Sequence, residues 1–113
     1  MKEIKAIIQP FMLSKVIEAL EGIQHLPGVT VSDVRGFGRG RAAGAADKLV
    51  DGEITYAKKC KLEIVVPDSL VEEVVHIIQA HAHTGNPGDG KIFVSSVDDT
   101  VKIRTGEHTE ETL

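Results

Sequence analysis

Aromatic residues are scarce in this sequence, which has no tryptophan, one tyrosine and three phenylalanines among its 113 residues. The core must therefore be built mainly from valine, isoleucine, leucine and alanine. No stretch approaches the roughly 20 unbroken apolar residues of a membrane-spanning helix. The single cysteine, Cys60, excludes an intrachain disulfide and fits a reducing compartment, so we expect a cytoplasmic protein.

Net charge and length further restrict the class of protein and the number of domains. The formal net charge is −4, so the chain has no general basic field of the kind that non-specific nucleic-acid binding requires. Its length predicts one domain spanning residues 1–113. The three lysines beside Cys60, at 58, 59 and 61, could lower the pKa of its thiol, but a small residue within a strand is the favoured interpretation.

Hydrophobic periodicity predicts two strand–helix–strand units. Residues 2–9 form a strand, and apolar residues at helical spacing follow from position 13 to 23. The second unit repeats this order 57 residues later, with Ile64-Val65-Val66-Pro67 corresponding to Ile7-Ile8-Gln9-Pro10. Asp68 and Ser69 offer N-cap chemistry at the start of its helix, and Glu72 stands where a capping box places a glutamate. This helix should run to about position 81. Further strands are predicted at 29–34, 59–66, 92–97 and 101–104.

Two units of this kind predict an α+β, ferredoxin-like fold, in which a double β-α-β forms an antiparallel sheet with both helices on one face. The other face of such a sheet remains uncovered. Because the strands are rich in aliphatic residues, we expect that face to support self-association.

Two glycine-rich segments interrupt the pattern. Residues 84–91 read Thr-Gly-Asn-Pro-Gly-Asp-Gly-Lys, a loop whose bare N–H groups can approach an anionic ligand, and the cations Lys102 and Arg104 follow. An ordinary glycine-rich turn is the alternative. The segment Gly36-Phe37-Gly38-Arg39 begins like a dinucleotide fingerprint but fails to complete it. It opens a loop over 36–57, a length that is usually functional or disordered.

No catalytic set is evident. Ser69 and His76 lack a third group for a triad, so we do not expect an enzyme. His81 and His83 form a His-x-His pair that could bind a transition metal in extended chain, although surface histidines are the favoured interpretation and no firm metal site is predicted.

The chain resembles the PII signal-transduction family over almost its whole length. The resemblance rests on Ala6-Ile7-Ile8-Gln9-Pro10-Phe11, Gly36-Phe37-Gly38-Arg39, Lys61-Leu62-Glu63-Ile64-Val65-Val66-Pro67, Thr84-Gly85 with Gly88-Asp89-Gly90-Lys91-Ile92-Phe93-Val94, and Ile103-Arg104-Thr105-Gly106-Glu107. These segments occur in the family's order and spacing.

The resemblance implies a homotrimer that binds ATP or ADP in each cleft between subunits. It implies that Gly36, Phe37, Gly38 and Arg39 border the nucleotide, that Gly88, Asp89, Gly90 and Lys91 line its phosphates, that Lys102 and Arg104 reach in from the next subunit, and that Thr30 and the backbone near Ile64 hold the adenine. Lys102 stands where the family usually has arginine, which would replace a bidentate phosphate clamp by a point charge.

The resemblance also identifies residues 38–56 as the T-loop that docks on partners, and here the chain departs from the family. Gly52 replaces the tyrosine that is nucleotidylylated in many bacterial members, and Tyr56 at the far base of the loop is a poor substitute. Gly40 replaces the glutamine that helps to hold Mg²⁺ and 2-oxoglutarate, so the sequence gives little support for either ligand. Lys59 matches the lysine that contacts 2-oxoglutarate.

Two functions follow as hypotheses. The first is a non-enzymatic sensor in nitrogen regulation, whose bound ATP or ADP sets the loop conformation and so controls a membrane transporter or a metabolic enzyme. The second is a metal-binding or metal-tolerance protein on the same trimeric fold, linked to heavy-metal or other transport, in which His81 and His83 would be ligands.

Overall fold

The structure is a computed structural model that describes residues 1–37, 48–51 and 54–108. Its elements, in chain order, are β1 (Lys2–Ile8), α1 (Leu13–Glu21), β2 (Thr30–Gly36), β3 (Lys48–Asp51), β4 (Ile54–Val66), α2 (Val71–Ala82) and β5 (Gly90–Ser96). A short 3-10 helix precedes each α-helix, at Pro10–Met12 and at Asp68–Leu70. The two predicted repeats therefore enter their helices in the same way, directly after a strand.

The strands form one antiparallel sheet in the order β2-β4-β1-β5, and β3 pairs with β4 as an addition to that path. The two central strands are thus the first strand of each repeat, and each repeat places its second strand at an edge. This is the ferredoxin-like order, and the predicted fold class is confirmed.

In the two central strands, every second residue from Ile4 to Ile8 and from Cys60 to Val66 is buried, and these residues form the sheet side of the core. One face of β1 and β4 buries seven residues, and both helices pack on that face through a second set of aliphatic side chains. The strand residues are Ile4, Ala6, Ile8, Cys60, Leu62, Ile64 and Val66, and the helix residues are Val16, Leu20, Val74, Ile78 and Ala82. The core contains no buried polar or charged residue among the described residues.

The open face of the sheet, opposite the helices, carries charged side chains. Lys5 in β1 lies with its ammonium 5.6 Å from the ring centroid of Phe93, and Lys61 is 3.4 Å from the carboxylate of Glu63. The expectation that this face supports self-association stays a prediction. The aliphatic residues of β1 and β4 mostly occupy the alternate positions that face the helices, so lysines and glutamates remain for the other side.

The predicted loop over 36–57 is shorter than expected, because β3 and the first residues of β4 fall within it. The T-loop assignment at 38–56 lies largely outside the described residues.

Two further sequence predictions were wrong. The helix start at Asp68 is a 3-10 turn, and α2 begins at Val71 without a side-chain cap. The Asp68 carboxylate instead lies 2.9 Å from the amino group of Met1, and this hydrogen bond and charge lower the pKa of Asp68. Residues 101–104 form no strand but enter a turn, in which the Gly106 amide donates to the carbonyl of Lys102 at 2.7 Å.

Within the residues that the structure describes, neither α-helix is long and apolar enough to cross a membrane.

Gly90 fixes the junction between the glycine-rich loop and β5. Its φ is 105°, a left-handed value, and a Cβ there would lie 1.7 Å from the carbonyl oxygen of Ile7. We predict that Gly90→Ala lowers the free energy of unfolding by about 2 kcal/mol or more, because it adds backbone strain to a steric clash. Urea denaturation at fixed protein concentration measures this change.

Gly36→Ala is the matched control, since a Cβ at Gly36, a strand glycine without a left-handed φ, would have no atom within 4 Å. If the two substitutions lowered the free energy of unfolding equally, the predicted clash between a Cβ at position 90 and the Ile7 carbonyl would be contradicted.

Candidate functional site

The glycine-rich loop connects the end of α2 to the start of β5. His83 leaves the helix in an extended conformation, and Gly88, like Gly90, has a left-handed φ, of 91°. Left-handed glycines beside ordinary residues turn successive N–H groups toward a common side of the chain. The loop is thus built as an anion-binding segment would be, with Lys91 directly after it.

The Asp89 carboxylate holds the loop in this shape. It accepts hydrogen bonds from the backbone N–H groups of Thr84 at 2.7 Å and of Gly85 at 3.0 Å, and from the Thr84 hydroxyl. The Thr84 hydroxyl oxygen in turn accepts the Asn86 amide at 3.1 Å. The hydrogen bonds from Thr84 are the main cause of a lowered pKa at Asp89, so its carboxylate is ionised at neutral pH.

A second contact fastens the loop to the sheet. The carbonyl oxygen of Gly88 accepts hydrogen bonds from the side-chain amide of Gln9 at 2.8 Å and from the Lys59 ammonium at 2.6 Å. Gln9 follows β1 and Lys59 lies in β4, so side chains from both central strands donate hydrogen bonds to one loop carbonyl. Burial lowers the pKa of Lys59, and the nearby Asp89 charge partly offsets that effect. This contact was not predicted from the sequence, since neither residue is near the loop in the chain.

Thr30 lies at a different part of the sheet. It begins the edge strand β2, opposite Glu63 of β4, and both residues border a cavity of about 410 Å³ together with Pro27, Gly28 and Val65. The side chain of Ile64 is buried in the core, with 1% exposed, so only its backbone and its neighbours can reach that cavity. The sequence-predicted adenine residues are therefore close together.

Sheet order separates the glycine-rich loop from the cavity beside Thr30 within one chain. Thr30 lies in β2 and Gly90 in β5, at opposite edges, which is three strand spacings or about 14 Å. The register adds a further offset, because the pairing that runs from Thr30 across β4 and β1 reaches β5 at Phe93. Phe93 is three residues beyond Gly90, or about 10 Å along the strand. One chain does not bring both groups together at a single small ligand.

The predicted cations of the C-terminal segment are fully on the surface. Residues 101–108 are all exposed, and the turn at Lys102 is closed by the Gly106 amide and by its own amide, which donates to the Glu107 carbonyl at 2.9 Å. His108 contacts Asp99 with Nδ1 2.8 Å from Oδ2. Lys102 and Arg104 therefore project from an exposed turn.

At the start of the long loop, Gly36 ends β2 and Phe37 packs against Tyr56. Their ring centroids are 5.7 Å apart in an edge-to-face arrangement, and the Arg35 guanidinium lies 5.2 Å from the Tyr56 centroid. Tyr56 thus anchors the base of the loop, a role that its sequence position did not reveal. Four other residues singled out in the sequence, Gly38, Arg39, Gly40 and Gly52, lie outside the described residues.

Cys60 is not an activated thiol. It is buried, with 3% exposed, and its Sγ lies 3.8 Å from an Asp33 carboxylate oxygen. Burial raises the pKa of Cys60, and the Asp33 charge and hydrogen bond raise it further. The hypothesis that neighbouring lysines lower this pKa is wrong.

The histidines do not form a chelating pair. His81 lies in the last turn of α2 with Nδ1 2.9 Å from the Ile77 carbonyl, whereas His83 has left the helix and lies 3.7 Å from Asp89. His76 is exposed on α2. No group of three or more histidine, cysteine, aspartate or glutamate residues in the described ranges is arranged to hold a metal ion.

Known proteins are similar to this sequence over nearly its full length. The family model described as Nitrogen regulatory protein P-II matches residues 1–107. The chain is 46% identical to the Nitrogen regulatory protein P-II of Azospirillum brasilense over 107 residues, which is 95% of each chain. It is 42% identical to the protein of that name from Haemophilus influenzae and 45% identical to that from Microchaete diplosiphon, over 113 residues and all of each chain. The chain belongs to the P-II family of nitrogen regulatory proteins.

Proposed function

We propose that this protein is a non-enzymatic regulator that binds ATP or ADP between copies of itself and reports the bound nucleotide to a partner through the loop at residues 38–56. The observation that carries the proposal is the glycine loop at 84–90, whose shape is maintained by Asp89 and whose Gly88 carbonyl is held by two strands. Such a loop offers preorganised N–H donors to a polyphosphate.

The nucleotide would span two copies. The glycine loop and the Thr30 cavity lie at opposite sheet edges, so one copy would supply the phosphate site and a neighbouring copy the adenine site. Closed oligomers repeat one such heterologous contact around a rotation axis, and a trimer would contain three equal clefts. Lys102 and Arg104 would enter from the neighbouring copy, because they lie on an exposed turn.

Each side chain has a distinct task in this arrangement. Lys91, Lys102 and Arg104 would neutralise phosphate charge, with arginine able to bind in a bidentate way and the two lysines acting as point charges. Asp89 would act on the loop and not on the ligand, because its oxygens accept loop hydrogen bonds. Regulation is the function that we assign to this site.

The contacts at the base of the long loop provide a route for the signal. Lys59 joins the Gly88 carbonyl to β4, and β4 continues back to Tyr56, which packs on Phe37 at the other end of the loop. A γ-phosphate that displaced the Gly88 carbonyl would release Lys59. That change would shift the balance of loop conformations without any bond being made or broken.

The partner would be a membrane transporter or a metabolic enzyme, and the protein would act in the cytoplasm as a homotrimer of single 113-residue domains. The metal-binding alternative has no structural support, because His81 and His83 point to different partners.

We predict that Lys91→Ala weakens ATP and ADP binding at least about tenfold in calorimetry, because it removes one charge-assisted contact. His83→Ala serves as the control and should bind nucleotide within about threefold of the unchanged protein, since His83 lies 3.7 Å from Asp89 and contacts no proposed ligand atom. Zn²⁺ or Cu²⁺ binding that is lost in His83→Ala, together with no nucleotide binding by the unchanged protein, would favour the metal-binding hypothesis instead.

A mixing experiment tests whether the site is shared between copies. Lys91→Ala and the double variant Lys102→Ala/Arg104→Ala should each bind nucleotide poorly. When the two are unfolded together and refolded, random assembly should restore about one quarter of the clefts, because these combine an intact loop with an intact C-terminal segment. Titration with a fluorescent ATP analogue counts the restored sites, and no restoration would mean that one chain supplies both groups.

A further inference from the structure

Lys59 brings an amine to the glycine-rich loop. Its Nζ lies 2.6 Å from the carbonyl oxygen of Gly88, across a separation of 29 positions in the chain. Successive Cα atoms are about 3.8 Å apart, so the amine lies about one peptide unit from the N–H groups that follow Gly88. A basic nitrogen therefore lies beside the segment that we propose binds the phosphates.

The surroundings of this amine favour its uncharged form. Lys59 is half-buried, and burial lowers its pKa, although the nearby Asp89 charge partly offsets that effect. A lower pKa raises the fraction of free amine at a given pH, and only the free amine has the lone pair of a nucleophile. The free amine can still donate an N–H to the Gly88 carbonyl, and that hydrogen bond holds the nitrogen at the loop.

The charged groups at the loop suit a ligand that carries a phosphate. The Asp89 carboxylate accepts hydrogen bonds from Thr84 and Gly85, so its charge is directed into the loop itself. His83 lies 3.7 Å from Asp89 at one end of the loop, and Lys91 follows at the other end. A phosphoryl group on this loop therefore meets N–H donors and a lysine.

We propose that Lys59 is a covalent acylation site, and that its donor is an acyl phosphate whose phosphoryl group is held by the glycine-rich loop. An acyl phosphate carries a phosphate for the loop and, beside it, an electrophilic carbonyl carbon for the amine. This inference rests on the proposed function, because it uses the same loop. It deepens that function by adding a covalent input to the regulator.

The reaction is an acyl transfer without any change of oxidation state. The lone pair of the Lys59 Nζ attacks the carbonyl carbon of the acyl phosphate, and a C–N bond forms. The bond between that carbon and the phosphoryl oxygen breaks, and its electron pair leaves with the oxygen as inorganic phosphate. The nitrogen gives up one proton to the departing phosphate or to water, and the product is an amide on Lys59.

Acylation weakens the connection between the loop and β4. An amide nitrogen carries no charge, so acylated Lys59 loses its charge-assisted hydrogen bond to the Gly88 carbonyl. One positive charge is also removed from beside the bound phosphates. We therefore expect acylation of Lys59 to lower nucleotide affinity.

Site-resolved mass spectrometry with acetyl phosphate tests the proposal. Lys58 is the internal control, because it is the neighbouring lysine of β4, is exposed and lies on the opposite face of the strand. Acetyl phosphate should acetylate Lys59 at least about fivefold faster than Lys58, because the loop holds the donor beside that amine. N-acetoxysuccinimide, which transfers the same acetyl group without a phosphate, should instead favour the exposed Lys58.

Competition separates this proposal from the proposed function. An excess of inorganic phosphate, or of ATP, should slow the acetylation of Lys59 by acetyl phosphate and leave that of Lys58 unchanged. Equal rates at the two lysines, the same preference with both reagents, or no protection by inorganic phosphate would overturn the acylation site. Absence of ATP binding in calorimetry would instead overturn the proposed function, and protection by inorganic phosphate would still support acylation at the loop.

An arginine variant tests the consequence for nucleotide binding. Treatment with acetyl phosphate, followed by removal of the reagent, should lower the ATP affinity of the unchanged protein at least about tenfold in calorimetry. Lys59→Arg keeps the positive charge and the donor but offers no amine, so the same treatment should change its affinity less than about twofold. Circular dichroism checks that the variant is folded. An equal loss of affinity in Lys59→Arg would place the reactive group elsewhere and overturn the proposal.

Discussion

The hydrogen bonds at the Gly88 carbonyl are the constraint on which the candidate site depends. Gln9 reaches this one oxygen from the end of β1, and Lys59 reaches it from the middle of β4. An unrestrained glycine loop would lose conformational entropy when it closed on a ligand, whereas this loop is already fixed. Asp89 contributes the second restraint from within the loop. The shape of the loop is therefore set by contacts with the two central strands as well as by its own residues.

The same contacts explain why the loop and the rest of the molecule are coupled. Lys59 lies in β4, the strand that also carries Tyr56 at the base of the long loop and Glu63 beside Thr30. One strand thus carries a residue that contacts the glycine loop, a residue that borders the Thr30 cavity and a residue that packs at the base of the long loop. A change at the glycine loop has a short, physically continuous path to each of the other two.

The fold could be predicted from the sequence because hydrophobic periodicity and the repeat both specify a double β-α-β. The glycine loop was also predictable, since glycine and proline spacing define it locally. The Lys59–Gly88 contact was not, because the two residues are 29 positions apart and no local pattern links them. The charged side chains on the open face were not predicted either, since composition does not reveal which face each residue occupies.

The sequence by itself determined the order of elements, the family and the residue types that could bind a phosphate. Only the tertiary structure decided that Thr30 and Gly90 stand at opposite edges of one sheet, and that Ile103 is left in solvent. The physical reason is that strand order and register arise from long-range packing of the core. Neighbours in space are set by that packing.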